Sequence, residues 1–280
     1  MSPSCRTERS AGFQCGRPKF ESMGKSDRSA PNWRWILVLT GTGVLYWLVL
    51  LSMVVTANPN LFPTLLLLGA LVAPLTVLTY LNWPTGDSVV DGRLVAWVAV
   101  LSGVLGVLAA GVLEYATATQ RSQWPMLTVA VIEETLKILV PIGALAFASR
   151  AVTDARAGLV IGVASGAGFA VLETMGYGFT TLLTSHSLAA VDQILLVRGV
   201  FAPACHLAWT GLLGASLWNF RTRPVGRALL GFVATYVVVV LLHALWDTLS
   251  ASWLAHVLIA AVSVLLLVAR ERRIPSGAVR

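Results

Sequence analysis

Glu133, Glu134 and Lys137 sit within Val131–Val140, a run that apart from Thr135 is otherwise apolar. Lys137 follows the two carboxylates by four and three residues, the spacings that bring side chains onto one helix face. A charged side chain at a bilayer centre costs about 2.5–3.5 kcal/mol. A chain carries three of them together only where they are paired, neutralised or used. Other apolar runs hold Glu173, His206, His243, Asp247 and His256. The pairs Phe169/Glu173, His206/Thr210 and His243/Asp247 repeat the four-residue spacing. Three glutamates and an aspartate against one lysine cannot all be ionised in a dry site, so they titrate as one coupled set. Carboxylates beside imidazoles are suitable equipment for general acid–base activation of water.

The elements that position these residues must lie in a membrane. The 280-residue chain is 56% hydrophobic and 12% charged, the composition of an all-α, polytopic integral membrane protein. Its net charge of +7 is spread over loops and tails and is no nucleic-acid signature. Cys5, Cys15 and Cys205 form neither a disulfide framework nor a zinc spacing. Residues 1–34 read as a disordered basic tail rather than a cleavable signal, and Met23 offers a second start. Residues 35–269 read as the membrane domain, with its motif core at about 120–250, and residues 270–280 as a second basic tail.

Eight runs have spanning length: Trp35–Val55, Leu61–Leu81, Leu94–Leu113, Trp124–Ala148, Ala157–Leu183, Val200–Phe220, Gly226–Asp247 and Ala251–Ala269. With eight spans both tails share a side, and seventeen of the twenty Lys and Arg residues fall there. Arg121 and Arg198 fall in the opposite loops, and Lys137 within a span. The positive-inside rule therefore puts both termini in the cytoplasm. Trp33, Trp35, Trp83, Trp124 and Trp218 fall near span ends, where interfacial anchors belong. On this topology Glu133 lies roughly 14 Å and His206 roughly 9 Å below the outer surface, and Glu173 and His243 also fall in the outer half. Gly158, Gly162 and Gly166 give the fifth helix a face of small residues, expected to pack on the fourth helix and turn Glu173 toward Glu133 and Glu134.

Blander readings compete at each position. The Glu133/Glu134/Lys137 set could be a structural ion pair, although one carboxylate suffices for one lysine. Glu173 could be a protonated packing residue, and His206 and His243 satisfied core histidines. His256 has no partner at helical spacing and reads as structural. Cys205 diverges from its neighbour His206 by about 100° around a helix and reads as a small buried hydrophobe. Ser165-Gly166 lacks the Gly-x-Ser-Gly of rhomboid-type proteases. The His-Glu-x-x-His of site-2-type metalloproteases and the Gly-x-Gly-Asp of presenilin-type enzymes are both absent.

Four motifs then follow in order: Glu133-Glu134-x-x-Lys137, Gly168-Phe169-Ala170-x-x-Glu173, His206-x-x-x-Thr210 and His243-x-x-Trp246-Asp247. Together, over roughly residues 120–250, they resemble the PrsW family of intramembrane proteases, related to the CAAX prenyl endopeptidase and bacteriocin-processing group. The resemblance implies an intramembrane endopeptidase that cleaves a membrane-anchored protein near its extracytoplasmic side, in the founding type an anti-sigma factor. It implies Glu133 as the base on water, Glu134 or Glu173 helping to hold that water, and Lys137 balancing charge. His206 and His243 donate to the oxyanion or leaving amine, and Asp247 orients His243. Glu173 stands where prenyl endopeptidases carry His, and Asp247 where Asn is also common, which makes this site more acidic. The group includes proteins described as metalloproteases and as metal-independent glutamyl proteases. The expectation is no cofactor, with zinc as the alternative. A bacterial cytoplasmic membrane is the expected location, with the lipid bilayer and a membrane protein as partners and no nucleic acid. The competing class, an ion-coupled transporter, predicts inverted repeats or broken helices, and the sequence displays neither.

Overall fold

The computed structural model describes residues 33–83, 89–117, 122–147, 155–250 and 252–274. The anticipated amino-terminal tail up to residue 32 and the final residues 275–280 lie outside this set. A lipid-facing backbone must satisfy its own hydrogen bonds, and the apolar runs accordingly form helices. These are α1 (Arg34–Thr56), α2 (Phe62–Asn82), α3 (Gly92–Ala116), α4 (Pro125–Phe147), α5 (Ala155–Ser185), α6 (Leu188–Trp218), α7 (Val225–Thr248) and α8 (Trp253–Arg273). All but α4 are apolar and long enough to cross a membrane. The 23-residue α4 is the helix that carries Glu133, Glu134 and Lys137. The described residues contain no strand, so the protein is an all-α polytopic membrane protein.

Turn chemistry sets the helix ends. The side chains of Asp91, Ser187 and Ser252 accept the backbone N–H of Arg93, Ala190 and Ala255, filling donors that a helix start leaves open. Buried Asn82 donates its amide to the Val90 carbonyl at 3.0 Å and accepts the Val90 N–H at 2.8 Å. That clamp ties the end of α2 to the segment entering α3.

The centre is the α5–α6 pair. Residues Ala157–Ala167 of α5 are buried on every side, the mark of an interior helix. α3, α2 and α4 pack against α5; α8, α2 and α7 pack against α6; α1 lies on α2. The glycine face does not dock on α4 as the spacing suggested. A Cβ on Gly162 would run into the Thr210 carbonyl, one on Gly166 into the His206 carbonyl, and one on Gly158 into Gly214 and Trp218. The small residues thus seat α5 on α6, and the opposite approach of α3 is made at Gly168, against Ala99. Spacing identified a close-packing face but not its partner. Trp218 is correspondingly no interfacial anchor: it is fully buried, with its ring against Gly158.

α6 starts at Leu188, twelve residues before the expected boundary at Val200. Asp192 and Arg198 make Leu188–Gly199 look like a loop in the sequence. Both are answered within the bundle: Tyr46 donates its hydroxyl to Asp192, and Arg198 pairs with Glu173. At the other end of the bundle, Arg156 pairs with Glu271 at 2.8 Å, Arg221 donates to the Leu145 carbonyl, and Arg270 donates to the Ala215 carbonyl. These contacts gather the α5 N-terminus with the C-termini of α4, α6 and α8 on one face.

Candidate active site

Glu133, Glu134 and Lys137 lie two to three turns into α4, and Lys137 Nζ is the hub of the cluster. It donates to Glu133 Oε2 at 3.0 Å, to Glu134 Oε1 at 2.8 Å and to His206 Nδ1 at 2.8 Å. An ammonium has three N–H donors, and all three are used. The Phe169 ring lies 4.2 Å beneath it, adding a cation–π contact. Lys137 and Glu134 are fully buried.

These contacts determine which ring nitrogens carry protons. An ammonium cannot accept, so His206 Nδ1 is the acceptor and its ring proton sits on Nε2, which faces Glu173 Oε2 at 3.0 Å. Glu134 Oε1 lies 2.8 Å from His243 Nδ1. A carboxylate there holds the proton on Nδ1 and leaves Nε2 open. His243 Nε2 faces Glu133 Oε2 at 3.6 Å and Asp247 Oδ2 at 3.4 Å. Glu134 thus meets Nδ1 of His243, while Asp247, which the resemblance implied as its orienting partner, lies beside Nε2. The fully buried Glu134 serves this bond and the lysine, while Glu133, Glu173 and Asp247 keep 9%, 19% and 26% of their side chains accessible.

All seven expected site residues therefore converge: Glu133, Glu134, Lys137, Glu173, His206, His243 and Asp247. His256 stays outside the cluster, its ring 4.1 Å from that of Trp246 and its Nε2 3.3 Å from the Trp246 carbonyl. Cys205 is a fully buried packing residue.

Three contributors escape the sequence reading. Arg198, expected in an outer loop, lies in α6; its Nη2 is 2.9 Å from Glu173 Oε2, and its guanidinium stacks 3.7 Å over the Tyr177 ring. The cluster therefore holds a second cation. A signal for it exists: Arg198 precedes His206 by eight residues, close to two helical turns. Trp209, three residues after His206, stacks on His243 at 4.9 Å and donates its indole N–H to Ser263 of α8 at 2.8 Å. Glu114 of α3, half-buried, experiences the charges of Glu133, Glu173 and Asp247. The expected third span ends one residue short of it. On α7, Tyr236 sets the register against α4, with its hydroxyl 2.6 Å from Thr135 Oγ1 and 3.2 Å from the Val131 carbonyl.

Among the described residues no three His, Cys, Asp or Glu side chains converge as a metal ion requires. The donors of Glu133, Glu134 and His206 that come closest together are already drawn around the Lys137 ammonium. As drawn together here, those three donors serve the ammonium.

No curated protein and no solved structure matches the chain. The family model described as PrsW family intramembrane metalloprotease matches residues 88–269. That interval begins just before α3, includes every residue of the cluster, and leaves out α1 and α2. It covers more than half of the 280 residues, and the chain belongs to the PrsW family of intramembrane proteases.

Proposed function

We propose that this protease cleaves a single-span or lipid-anchored protein near the extracytoplasmic face, using a water activated by Glu133 with help from His243 and His206. The observation that carries this reading is the approach of Glu133 Oε2 and His243 Nε2 from two different helices, 3.6 Å apart. One water can hydrogen-bond to both atoms at that separation. His243 is held from behind, at Nδ1, by Glu134, and Glu133 is held by Lys137 at the same Oε2 that faces His243.

In this mechanism Glu133 accepts the proton of the attacking water as it adds to the scissile carbonyl. The oxyanion forms in a region already supplied with positive charge by Lys137 and Arg198 and with the His206 Nε2–H. His243, held by Glu134, takes that proton from Glu133 at Nε2 and delivers it to the leaving amine as the C–N bond breaks. Glu173 and Arg198 hold one another and the His206 ring in place. Asp247, beside His243 Nε2, raises the affinity of that nitrogen for the transferred proton. A metal bound in other members of the family would supply Lewis-acid polarisation of the carbonyl; no step here is routed through one.

Charge distribution supports a cytoplasmic location for both termini in a bacterial cytoplasmic membrane. Moving Arg198 from a loop into α6 leaves Arg121 as the one basic residue between helices on the opposite side. An anti-sigma factor is the substrate class that the family resemblance suggests.

The test is cleavage of tagged single-span reporters by the reconstituted protein. Wild type should cleave, while Glu133→Gln and His206→Ala should each lose on the order of 10²-fold or more of the rate. Full cleavage by both variants would sink the assigned chemistry.

A further inference from the structure

Lys137 is followed four residues later by Pro141, and α4 runs through both. Proline has no N–H, so the Lys137 carbonyl loses the intrahelical donor that residue 141 would normally supply. In lipid such a carbonyl must find another partner. Ser165 of α5, itself fully buried, donates its hydroxyl to that oxygen at 2.5 Å.

This is an uncommon use of a hydroxyl in this molecule. Thr76, Thr79, Thr181, Thr235 and Ser263 all turn back to the carbonyl four residues earlier in their own helices. Ser165 reaches across to a neighbouring helix instead. Pro74 and Pro203 likewise interrupt α2 and α6, depriving the Ala70 and Gly199 carbonyls of their usual donor. Among the described residues, the Lys137 carbonyl is the one of these three that receives a side-chain donor.

We propose that Ser165 is a positioning residue: its bond to the carbonyl exposed by Pro141 fixes α4 on α5 so that the Lys137 side chain reaches Glu133, Glu134 and His206 together. This rests on the proposed role of Lys137 in the site. The bond holds the backbone of Lys137, and the side chain then needs three simultaneous contacts between 2.8 and 3.0 Å. A shift of α4 along α5 by a fraction of a helical turn would break the contact with His206, which belongs to α6, while leaving the two within α4 intact. Loss of Ser165 should therefore impair the chemistry more than substrate capture.

Pro141 makes the inference testable, because replacing it returns the missing donor. The full-length protein is compared as wild type, Ser165→Ala, Pro141→Ala and the double variant. Thermal midpoints are read in detergent, and kcat and KM in liposomes, with a tagged single-span reporter that wild type cleaves. Ser165→Ala should lower the midpoint by about 3 °C and kcat about tenfold, with KM little changed. The double variant should regain most of the midpoint, since the Pro141→Ala change restores a backbone N–H that donates to the Lys137 carbonyl within α4, but not kcat, because that bond does not tie α4 to α5. A double variant as impaired as Ser165→Ala in midpoint would overturn the bond, and one restored to wild-type kcat would overturn the positioning role. A lowered midpoint with wild-type kcat in Ser165→Ala would overturn the positioning role. Should Glu133→Gln cleave like wild type, the reading of the site fails instead, and the midpoint cycle still decides whether the bond exists.

Discussion

Lys137 Nζ and His206 Nδ1 meet at 2.8 Å, joining α4 to α6 through an ammonium that also holds both glutamates of its own helix. The contact fixes the His206 tautomer and points its remaining N–H at Glu173. One buried cation thus organises groups from three helices.

Lys137→Met should therefore be the most damaging single change in the cluster. It strips the balancing charge from two buried carboxylates, an imbalance that costs about 3–5 kcal/mol. A large fall in thermal midpoint together with loss of cleavage is expected. Lys137→Arg should not restore activity, because a planar guanidinium does not reproduce three donors around a point charge.

Glu134→Gln tests the carboxylate behind His243. The carboxamide keeps the shape and can still accept the Nδ1–H, but it no longer stabilises an imidazolium. kcat should fall on the order of 10²-fold with KM close to wild type. An equal fall in Asp247→Asn with none in Glu134→Gln would return the orienting role to Asp247.

Arg198 pairs with Glu173 and sits over the Tyr177 ring. Arg198→Ala should reduce kcat about tenfold by freeing the Glu173 carboxylate beside His206. Arg198→Lys should recover only part of that loss, since an ammonium keeps the charge but not the stacking. Side-by-side kinetics of the two variants separate these contributions.

Metal removal bears directly on the donor geometry. With Lys137 at the centre of the donors, cleavage by protein dialysed against a chelator should match that of untreated protein. Inactivation reversed by added zinc would establish a metalloenzyme and require Lys137 to yield its place to the ion.

The α5–α6 contact predicts a sharp contrast between glycines. Gly162→Leu forces a side chain into the Thr210 carbonyl and should abolish the folded state, read as loss of monodisperse protein in detergent. Gly143 has nothing within 4 Å of a built Cβ. Gly143→Ala should leave activity intact and raise the thermal midpoint slightly, through the better helix propensity of alanine.

Much of this can be read along the chain because membranes restrict what a chain can do. Charged residues inside apolar runs stand out, and Glu133, Glu134, Lys137, Glu173, His206, His243 and Asp247 are found on that signal alone. Arg198 escapes it for the same reason: beside Asp192 it makes a helical stretch resemble a loop, and only the presence of Glu173 and Tyr46 on other helices shows why those charges are tolerated. Trp209 gives no signal at all, since a tryptophan in a hydrophobic helix is ordinary until its ring is found on His243.

The sequence by itself determined the all-α membrane architecture, the approximate placement of most of its helices and the set of residues able to do chemistry. These follow from local quantities: hydropathy over a bilayer's thickness, loop charge and spacing on a helix. Tertiary structure decided the relations between helices. It chose α6 rather than α4 for the glycine face, set Glu134 at Nδ1 and Asp247 at Nε2 of His243, and brought Ser165 to the carbonyl that Pro141 leaves open. A spacing defines which face a residue occupies, but which helix meets that face depends on packing the whole bundle at once.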